Sequence, residues 1–210
     1  MKTTVYLIRH SEAMKGEFQQ YLATEIEQIS NEKTCLSIEG EQKAEQLSKN
    51  PLLSHLDVIY SSHYTRAIST AKWIARQNHL KINVDERLGE RKIGIQYRSE
   101  LPPYFSYRQW ENWDYKLGNG ESFNDCKKRI KQVFDDILNQ QKGKNIAIVS
   151  HGVSIKALLS VWCDMKLNEQ DKQFDIYYHD QLVISGKWHS PELFKLVFDE
   201  TFSLISIRKI

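Results

Sequence analysis

The chain has 210 residues, a formal net charge of +2, and 40% hydrophobic and 27% charged residues. This is the composition of an ordinary soluble globular protein with a single domain over residues 1–210. The small charge and the dispersed basic residues argue against nucleic acid or a membrane surface as a partner, and no apolar run approaches the ~20 residues that span a bilayer. Three widely separated cysteines that form no C-x-x-C pair favour reduced thiols and a cytoplasmic location.

The predicted elements alternate between strands and helices along the chain. Residues 3–8 form the first strand, a short run of β-branched and aromatic side chains. A helix then begins after Ser37, whose hydroxyl suits an N-cap and which acidic residues follow. The later elements are strands at 57–62, 82–85 and 145–150, helices at about 65–77, 121–141 and 153–162, and a C-terminal edge strand at 202–207. This alternation predicts an α/β fold, a three-layer sandwich with a mostly parallel central sheet flanked by helices.

Polar and reactive side chains follow four of these strands. Arg9 and His10 come after the first strand, Arg66 after the second, Glu90 beyond the third and His151 after the fourth. Open α/β sheets bind ligands in the crevice outside the carboxyl ends of their strands. We therefore expect these five side chains to converge in one pocket for an anion.

This set of side chains suits phosphoryl transfer. Two arginine forks donate planar, bidentate hydrogen bonds to phosphate oxygens. A histidine with an ordinary pKa near ~6.5 is largely neutral at pH 7 and can attack phosphorus. A carboxylic acid can protonate the leaving oxygen, which typically gives ~10²–10⁴-fold in rate. Arginine and protonated histidine supply positive charge, so neither a metal ion nor another cofactor is expected.

Five motifs occur in order over roughly the first three-quarters of the chain. They read L-I-R-H-S-E at 7–12, L-S-I-E-G-E-Q-K-A at 36–44, S-S-H-Y-T-R-A-I-S-T-A at 61–71, L-G-E-R-K-I-G at 88–94 and I-V-S-H-G at 148–152. Any one of them alone is a weak signal, but the ordered set resembles the histidine phosphatase superfamily, in its phosphoglycerate-mutase-like branch (branch 1).

The resemblance implies roles for individual residues. His10 corresponds to the phosphorylated nucleophile and Glu90 to the proton donor, with Glu86 and Glu100 as nearby alternatives for the acid. His63 is a further candidate for the pocket. The implied catalytic set is Arg9, His10, Arg66, Glu90 and His151, and the implied substrate-binding set is Arg9, Ser11, Arg66, His151 and Gly152.

The implied activity is that of a metal-independent phosphatase, a phosphoric monoester hydrolase acting on a small phosphorylated metabolite through phosphohistidine. The mutases tend to have asparagine where this chain has Gly16, and their paired arginines for a carboxylated substrate have no clear match here. These departures favour a phosphatase over a phosphoglycerate-mutase-type transferase. A non-catalytic phospho-ligand-binding protein is a third alternative, although it would not need the proton donor Glu90. A homodimer is left open.

Aromatic residues crowd into an insertion at about 95–122, called the aromatic segment below. They are Tyr97, Tyr104, Phe105, Tyr107, Trp110, Trp113 and Tyr115. One interpretation is a small satellite core under a long loop. The other is a lid over the active site that selects the organic part of the substrate, favouring a ring or acyl body over a bare sugar phosphate.

Overall fold

The computed structural model describes residues 1–14, 26–168, 173–185 and 188–210, which form nine strands and six α-helices. The strands are β1 (Thr3–Arg9), β2 (Val58–Ser61), β3 (Ile82–Val84), β4 (Asn145–Ser150), β5 (Asp164–Leu167), β6 (Phe174–Tyr178), β7 (Gln181–Ile184), β8 (Glu192–Phe198) and β9 (Leu204–Lys209). The helices are α1 (Glu27–Lys33), α2 (Ile38–Ser48), α3 (Thr65–Gln77), α4 (Phe105–Glu111), α5 (Phe123–Gln140) and α6 (Gly152–Leu159). None of the described helices is long and apolar enough to cross a membrane.

The central sheet has six strands in the order β3-β2-β4-β1-β8-β9. The pairs β3-β2, β2-β4 and β4-β1 are parallel, whereas β8 runs antiparallel to both β1 and β9. The predicted α/β fold with a mostly parallel sheet is therefore confirmed. The predicted C-terminal edge strand is present at Leu204–Lys209, two residues later than expected.

Alternate residues of the central strands pack into two separate apolar layers. On β1, Val5 and Leu7 belong to the core formed with α5 and α6, whereas Tyr6 and Ile8 face the core formed with α3. This alternation gives the three-layer sandwich, because each face of the sheet is covered by helices.

Helix boundaries follow local capping chemistry. The Ser37 hydroxyl accepts the Gly40 N–H at the start of α2, as predicted. At the start of α5, Ser122 and Asp125 form a reciprocal capping box, so this helix begins two residues after the predicted position. Helix α6 ends at Leu159 instead of 162, because Ser160 caps it before β5 begins.

Some elements of the structure lie in regions where the sequence predicted none. They are α1, β8 and a second, three-stranded sheet with the strand order β5-β6-β7. Strand β8 is apolar on both faces, with Leu193, Phe194 and Leu196 buried. Periodicity cannot separate such a run from a buried helix. Within the aromatic segment, α4 begins beyond Pro102-Pro103, and Trp110 and Phe123 pack edge to face with ring centroids 5.6 Å apart.

The sheet brings three chain segments to one edge. β4 lies between β1 and β2, and the His10 and Ser62 N–H groups donate to the Ser150 and Val149 carbonyls, each over 2.9 Å. His151 directly follows β4. Main-chain hydrogen bonds of adjacent parallel strands therefore set the relative positions of these segments.

Candidate active site

His10 lies just beyond β1 and is only 7% exposed. Its Nδ1 is 2.7 Å from the main-chain oxygen of Ser11, and its Nε2 is 3.1 Å from the Nε of Arg66. A guanidinium can only donate, so His10 Nε2 must accept. The proton of the neutral ring therefore lies on Nδ1, which donates to Ser11, and Nε2 keeps its lone pair.

The surroundings of His10 also favour its neutral form. Burial holds the pKa of His10 well below its usual value, and the charges of Arg66 and Arg9 lower it further, against the hydrogen bond to Ser11. Because desolvation and nearby cations both disfavour imidazolium, the ring is neutral at pH 7. It therefore has the protonation state of a nucleophile.

The charges of two guanidiniums act on this ring. Arg66, at the start of α3, is 6% exposed, and Asn31 on α1 accepts its Nη1 and Nη2 groups. Arg9 donates from Nη1 to the carbonyls of Trp188 and His189, each over 3.1 Å. Such forks suit the oxygens of a phosphoryl group.

Arg9 lies directly against the start of α6. A Cβ at Gly152 would lie 3.4 Å from Arg9 Nε, which is an ordinary van der Waals contact. Gly152 is also the first residue of α6, a place where helix N–H groups favour anions. Its predicted substrate-binding role is compatible with this position.

His151 is fully buried beside His10, with ring centroids 5.1 Å apart. Its Nε2 lies 2.8 Å from the Ser62 hydroxyl, and its Nδ1 has no hydrogen-bond partner among the described residues. Burial holds the pKa of His151 well below its usual value, and the charge of Arg66 adds to this effect.

Glu90 places its carboxylate against the N-terminus of α6. Its oxygens accept the N–H groups of Val153 (3.2 Å), Ser154 (3.1 Å) and Arg91 (2.9 Å), and the Ser154 hydroxyl (3.2 Å). Burial lowers the pKa of both Arg9 and Arg66, whereas the charge of Glu90 raises it, so the three groups share one electrostatic environment. Neither Glu86 nor Glu100 acts on both guanidiniums in this way.

Ser11 lies beneath the pocket and is fully buried. Its N–H donates to Thr70 Oγ1 over 2.9 Å, and its hydroxyl donates to the Gly40 carbonyl over 2.7 Å. A Cβ at Gly40 would lie 2.0 Å from the Glu12 carbonyl oxygen, which explains the glycine of the second motif. Both polar groups of Ser11 thus have protein partners, and its direct contact with substrate stays a prediction.

The structure adds residues that sequence reasoning did not single out. Ser62 belongs to the third motif, so its place beside His151 could have been found there. Asn31 and Trp188 lie outside every motif, and no sequence signal pointed to their contacts with Arg66 and Arg9. His63 lies at the pocket margin, with its ring 3.4 Å from a Glu32 carboxylate oxygen.

Six buried polar atoms of the described residues, two of them on Arg9 and His151 of this site, have no partner among those residues. They are Arg9 Nε, His63 Nδ1, Arg91 Nε, Gln109 Oε1, His151 Nδ1 and Trp188 Nε1. Such atoms are rare in folded proteins and are expected to pair with ligand or water. Within the described ranges, no group of three or more His, Cys, Asp or Glu residues could hold a metal ion, and all three cysteines are free.

The structure therefore places two buried imidazoles, two guanidiniums and a carboxylate at the ends of the parallel strands of an α/β sandwich. The model of the histidine phosphatase superfamily (branch 1) matches residues 5–188. The chain belongs to this superfamily, as its five motifs predicted.

Relatives and solved structures include both mutases and phosphatases. The probable phosphoglycerate mutase GpmB of Citrobacter koseri is 26% identical over 200 residues, covering 88% of this chain and 89% of that protein. Mycobacterial glucosyl-3-phosphoglycerate phosphatase has a TM-score of 0.70 at 19% identity, covering 100% of this chain and 97% of the other. A phosphoserine phosphatase mutant of Entamoeba histolytica, in complex with phosphoserine, has a TM-score of 0.66 at 23% identity, covering 98% and 96%. At these identities the solved structures establish the fold.

Proposed function

We propose that the protein is a metal-independent phosphatase that hydrolyses phosphomonoesters through a phosphohistidine at His10. The observation that carries this proposal is the hydrogen bonding of the buried His10 ring, whose Nδ1 lies 2.7 Å from the Ser11 carbonyl oxygen and whose Nε2 accepts the Arg66 Nε–H over 3.1 Å. A neutral, fixed imidazole is an activated nucleophile.

In the first half-reaction, His10 Nε2 attacks phosphorus and the bond to the leaving oxygen breaks. As Nε2 bonds to phosphorus, the Arg66 Nε–H gives up its hydrogen bond to Nε2 and donates to a phosphoryl oxygen instead, so that the guanidinium stabilises the negative charge on that oxygen. Arg9 and His151 hold the remaining oxygens. Glu90, which takes up a proton when the phosphate dianion binds beside it, gives this proton to the leaving alkoxide.

In the second half-reaction, water replaces the departed alcohol. The Glu90 carboxylate takes a proton from this water as its oxygen bonds to phosphorus. The N–P bond then breaks, and its electron pair returns to His10 Nε2. Inorganic phosphate leaves, which restores neutral His10, and Glu90 then releases its proton.

The decisive experiment follows a labelled phosphoryl group. A quenched turnover with ³²P-labelled substrate is expected to give acid-labile, base-stable label on His10, with inorganic phosphate as the final product. Turnover is expected to survive EDTA, because the guanidiniums of Arg9 and Arg66 supply the positive charge. Label on another residue, or loss of activity on chelation with recovery on adding a divalent ion, would overturn the mechanism.

A phosphoglycerate-mutase-type reaction is the second candidate, and the names of the sequence relatives favour it. A mutase returns the phosphoryl group to a sugar acid instead of water. Phosphorus NMR of the protein with 3-phosphoglycerate, with and without 2,3-bisphosphoglycerate, separates the two. Release of inorganic phosphate supports the phosphatase, 2-phosphoglycerate with total ester phosphate conserved supports the mutase, and a non-catalytic binding protein gives neither.

The substrate is expected to be a small phosphorylated metabolite, as in the neighbours solved with phosphoserine and 3-phosphoglyceric acid. We further propose that the aromatic segment selects its organic part. Support comes from the Phe105 ring, 4.9 Å from the guanidinium of Arg91, the residue next to Glu90. A substrate panel tests this idea: phosphomonoesters whose organic part carries a ring or an acyl chain should have higher kcat/KM than sugar phosphates with an equally good leaving group. Tyr97→Ala/Tyr104→Ala, at exposed positions, should reduce that difference.

Cellular location and oligomeric state are also proposals. A cytoplasmic location follows from the reduced thiols expected of the sequence, and cell fractionation tests it. A homodimer is testable by light scattering of the purified chain.

A further inference from the structure

Asn31, on α1, accepts two hydrogen bonds from Arg66, one of the two arginines of the candidate active site. The main-chain oxygen of Asn31 accepts from Arg66 Nη1, and its Oδ1 accepts from Arg66 Nη2 over 3.0 Å. On the other side of the guanidinium, Nε donates to His10 Nε2 over 3.1 Å. A single planar group is therefore held between Asn31 and His10.

The shape of a guanidinium makes this arrangement informative. Its end edge presents one N–H from each of Nη1 and Nη2, and its side edge presents Nε–H with the second N–H of Nη2. Asn31 takes the end edge of Arg66, so the side edge faces His10. Since the group is planar and rigid, holding one edge sets the direction of the other.

We propose that Asn31 is a positioning residue that aims the side edge of Arg66 at the phosphoryl group beside His10. This inference rests on the proposed phosphatase function. Asn31 touches neither the substrate nor His10 and acts only through Arg66. Displacements of about 1 Å in such a clamp can cost ~10²-fold in rate, so the orientation of the fork matters.

The chemistry of Asn31 fits this role better than a carboxylate would. A neutral amide oxygen orients the guanidinium without cancelling its positive charge, which stays available for a phosphate dianion. Glu90 and Glu27 already act on Arg66 as nearby negative charges. A third carboxylate on the end edge would further weaken the field that the substrate meets.

Helix α1 has further hydrogen bonds to the rest of the protein besides those between Asn31 and Arg66. Gln28 Nε2 donates to the Tyr64 hydroxyl over 2.9 Å, and the Glu27 N–H donates to the Gln96 carbonyl over 2.8 Å. Ile29 on the same helix is 41% exposed. The helix therefore has other polar contacts that hold it in place.

A double-mutant cycle tests the inference with two readouts, kcat/KM on an aryl phosphate and binding of inorganic phosphate by calorimetry. Asn31→Ala is expected to lower both about tenfold, the effect of losing one hydrogen bond to a charged group. Arg66→Lys has no fork to orient, so adding Asn31→Ala to it should cost less than about twofold more. Additive losses, or an unchanged Asn31→Ala protein, would refute the role.

Two controls separate positioning from general loosening of α1. Ile29→Ala should leave both readouts near the wild-type values. Thr34→Val removes the hydrogen bond from Thr34 Oγ1 to the Ser30 carbonyl at the end of α1, and any effect should add to that of Arg66→Lys instead of vanishing. If Ile29→Ala matches Asn31→Ala, or if the Thr34 effect also vanishes in the Arg66→Lys background, then Asn31 has no special part.

The phosphate-binding readout separates this inference from the proposed function. Coupling of Asn31 to Arg66 in phosphate binding, without turnover of any ester, would support the positioning role and reject the phosphatase. Turnover of an ester, with independent effects of the Asn31 and Arg66 substitutions, would support the phosphatase and reject the positioning role.

Asn31→Asp is a sharper test, because it keeps an acceptor oxygen and adds a negative charge. The kcat should fall less than in Asn31→Ala, whereas phosphate binding should weaken because of the added charge.

Discussion

The strand ends beneath the pocket and helix α1 beside it position different groups of the same pocket by different physical means. Main-chain hydrogen bonds between parallel strands fix the segments that carry His10, Ser62 and His151, and the two histidines are almost completely buried. Hydrogen bonds that involve side chains of Gln28, Asn31 and Arg66, together with one main-chain bond from Glu27 to Gln96, attach α1, which exposes 41% of Ile29. Buried, main-chain-held groups suit chemistry that tolerates little displacement, whereas side-chain contacts suit adjustment. Changes at the strand ends should therefore abolish function, and changes on α1 should tune it.

The largest effect is expected from His10→Ala. Without the nucleophile, phosphohistidine cannot form, and turnover should fall by more than about a thousandfold, as for other covalent nucleophiles. Rapid-quench labelling and steady-state rates measure the two effects, and circular dichroism checks the fold. His55→Ala, outside the pocket, is the matched histidine control. Appreciable turnover by His10→Ala would show that the strand end does not carry the chemistry.

Glu90→Gln is expected to cause the next largest loss of activity, and the size of this loss should depend on the leaving group. On alkyl phosphates the rate should fall by about 10²–10³-fold, because the alkoxide then lacks its proton donor. Nitrophenolate scarcely needs a proton to leave, so the first step with nitrophenyl phosphate should be nearly unchanged in a single turnover. Equal losses in the two single-turnover rates would assign Glu90 to holding α6 instead of to proton transfer.

His151→Ala should reduce turnover by about 10²–10³-fold, the usual loss for one preorganised donor to the transition state. The phosphohistidine at His10 should still form, but slowly. Rapid-quench measurement of its rate of appearance gives this effect directly. Ser62→Ala removes the partner of His151 Nε2 and should give a smaller loss in the same step. A greater loss in Ser62→Ala would reverse these assignments.

The sequence predicted the strand ends well because their residues lie in local motifs. Arg9 and His10 interrupt an apolar run, and the alternation of strands and helices implies that such residues meet at one edge. Asn31 could not be found in this way, because its two contacts with Arg66 span 35 residues and one of them uses a main-chain oxygen. Trp188 likewise binds Arg9 through its carbonyl, 179 residues away. Main-chain acceptors leave no mark on residue type, so only the fold reveals them.

Buried histidines also make stability depend on pH, which gives a smaller and graded effect. The pKa values of His10 and His151 lie well below normal in the folded protein, whereas in the unfolded chain they return to the ordinary histidine pKa of ~6.5. Below about pH 6.5, the unfolded chain therefore binds more protons than the folded protein. Stability should be complete above that pH and fall as the pH drops, by at most about 2.7 kcal/mol per pH unit for two groups. Chemical denaturation between pH 7 and pH 5 measures this slope. It should flatten in His10→Ala/His151→Ala; an unchanged slope would mean that neither histidine is neutral by burial.

The smallest effect is expected beside α1, from Arg98→Ala. Arg98 lies 3.5 Å from Glu27, and its side chain is 66% exposed, whereas that of Glu27 is 6% exposed. Arg98 is mostly exposed, and Arg66 and Arg91 also act on the buried Glu27 carboxylate. Losing the Arg98 contact should therefore cost about 1 kcal/mol or less, so the melting temperature should change little and kcat by less than about threefold. Burial raises the pKa of Glu27 and Arg98 opposes this shift, so the variant should raise that pKa further, which carboxylate NMR can detect. Arg98→Lys keeps the charge and should keep the wild-type value. A loss of turnover comparable to that of His151→Ala would show that α1 and its contacts belong to the catalytic framework and would remove the distinction between the two regions.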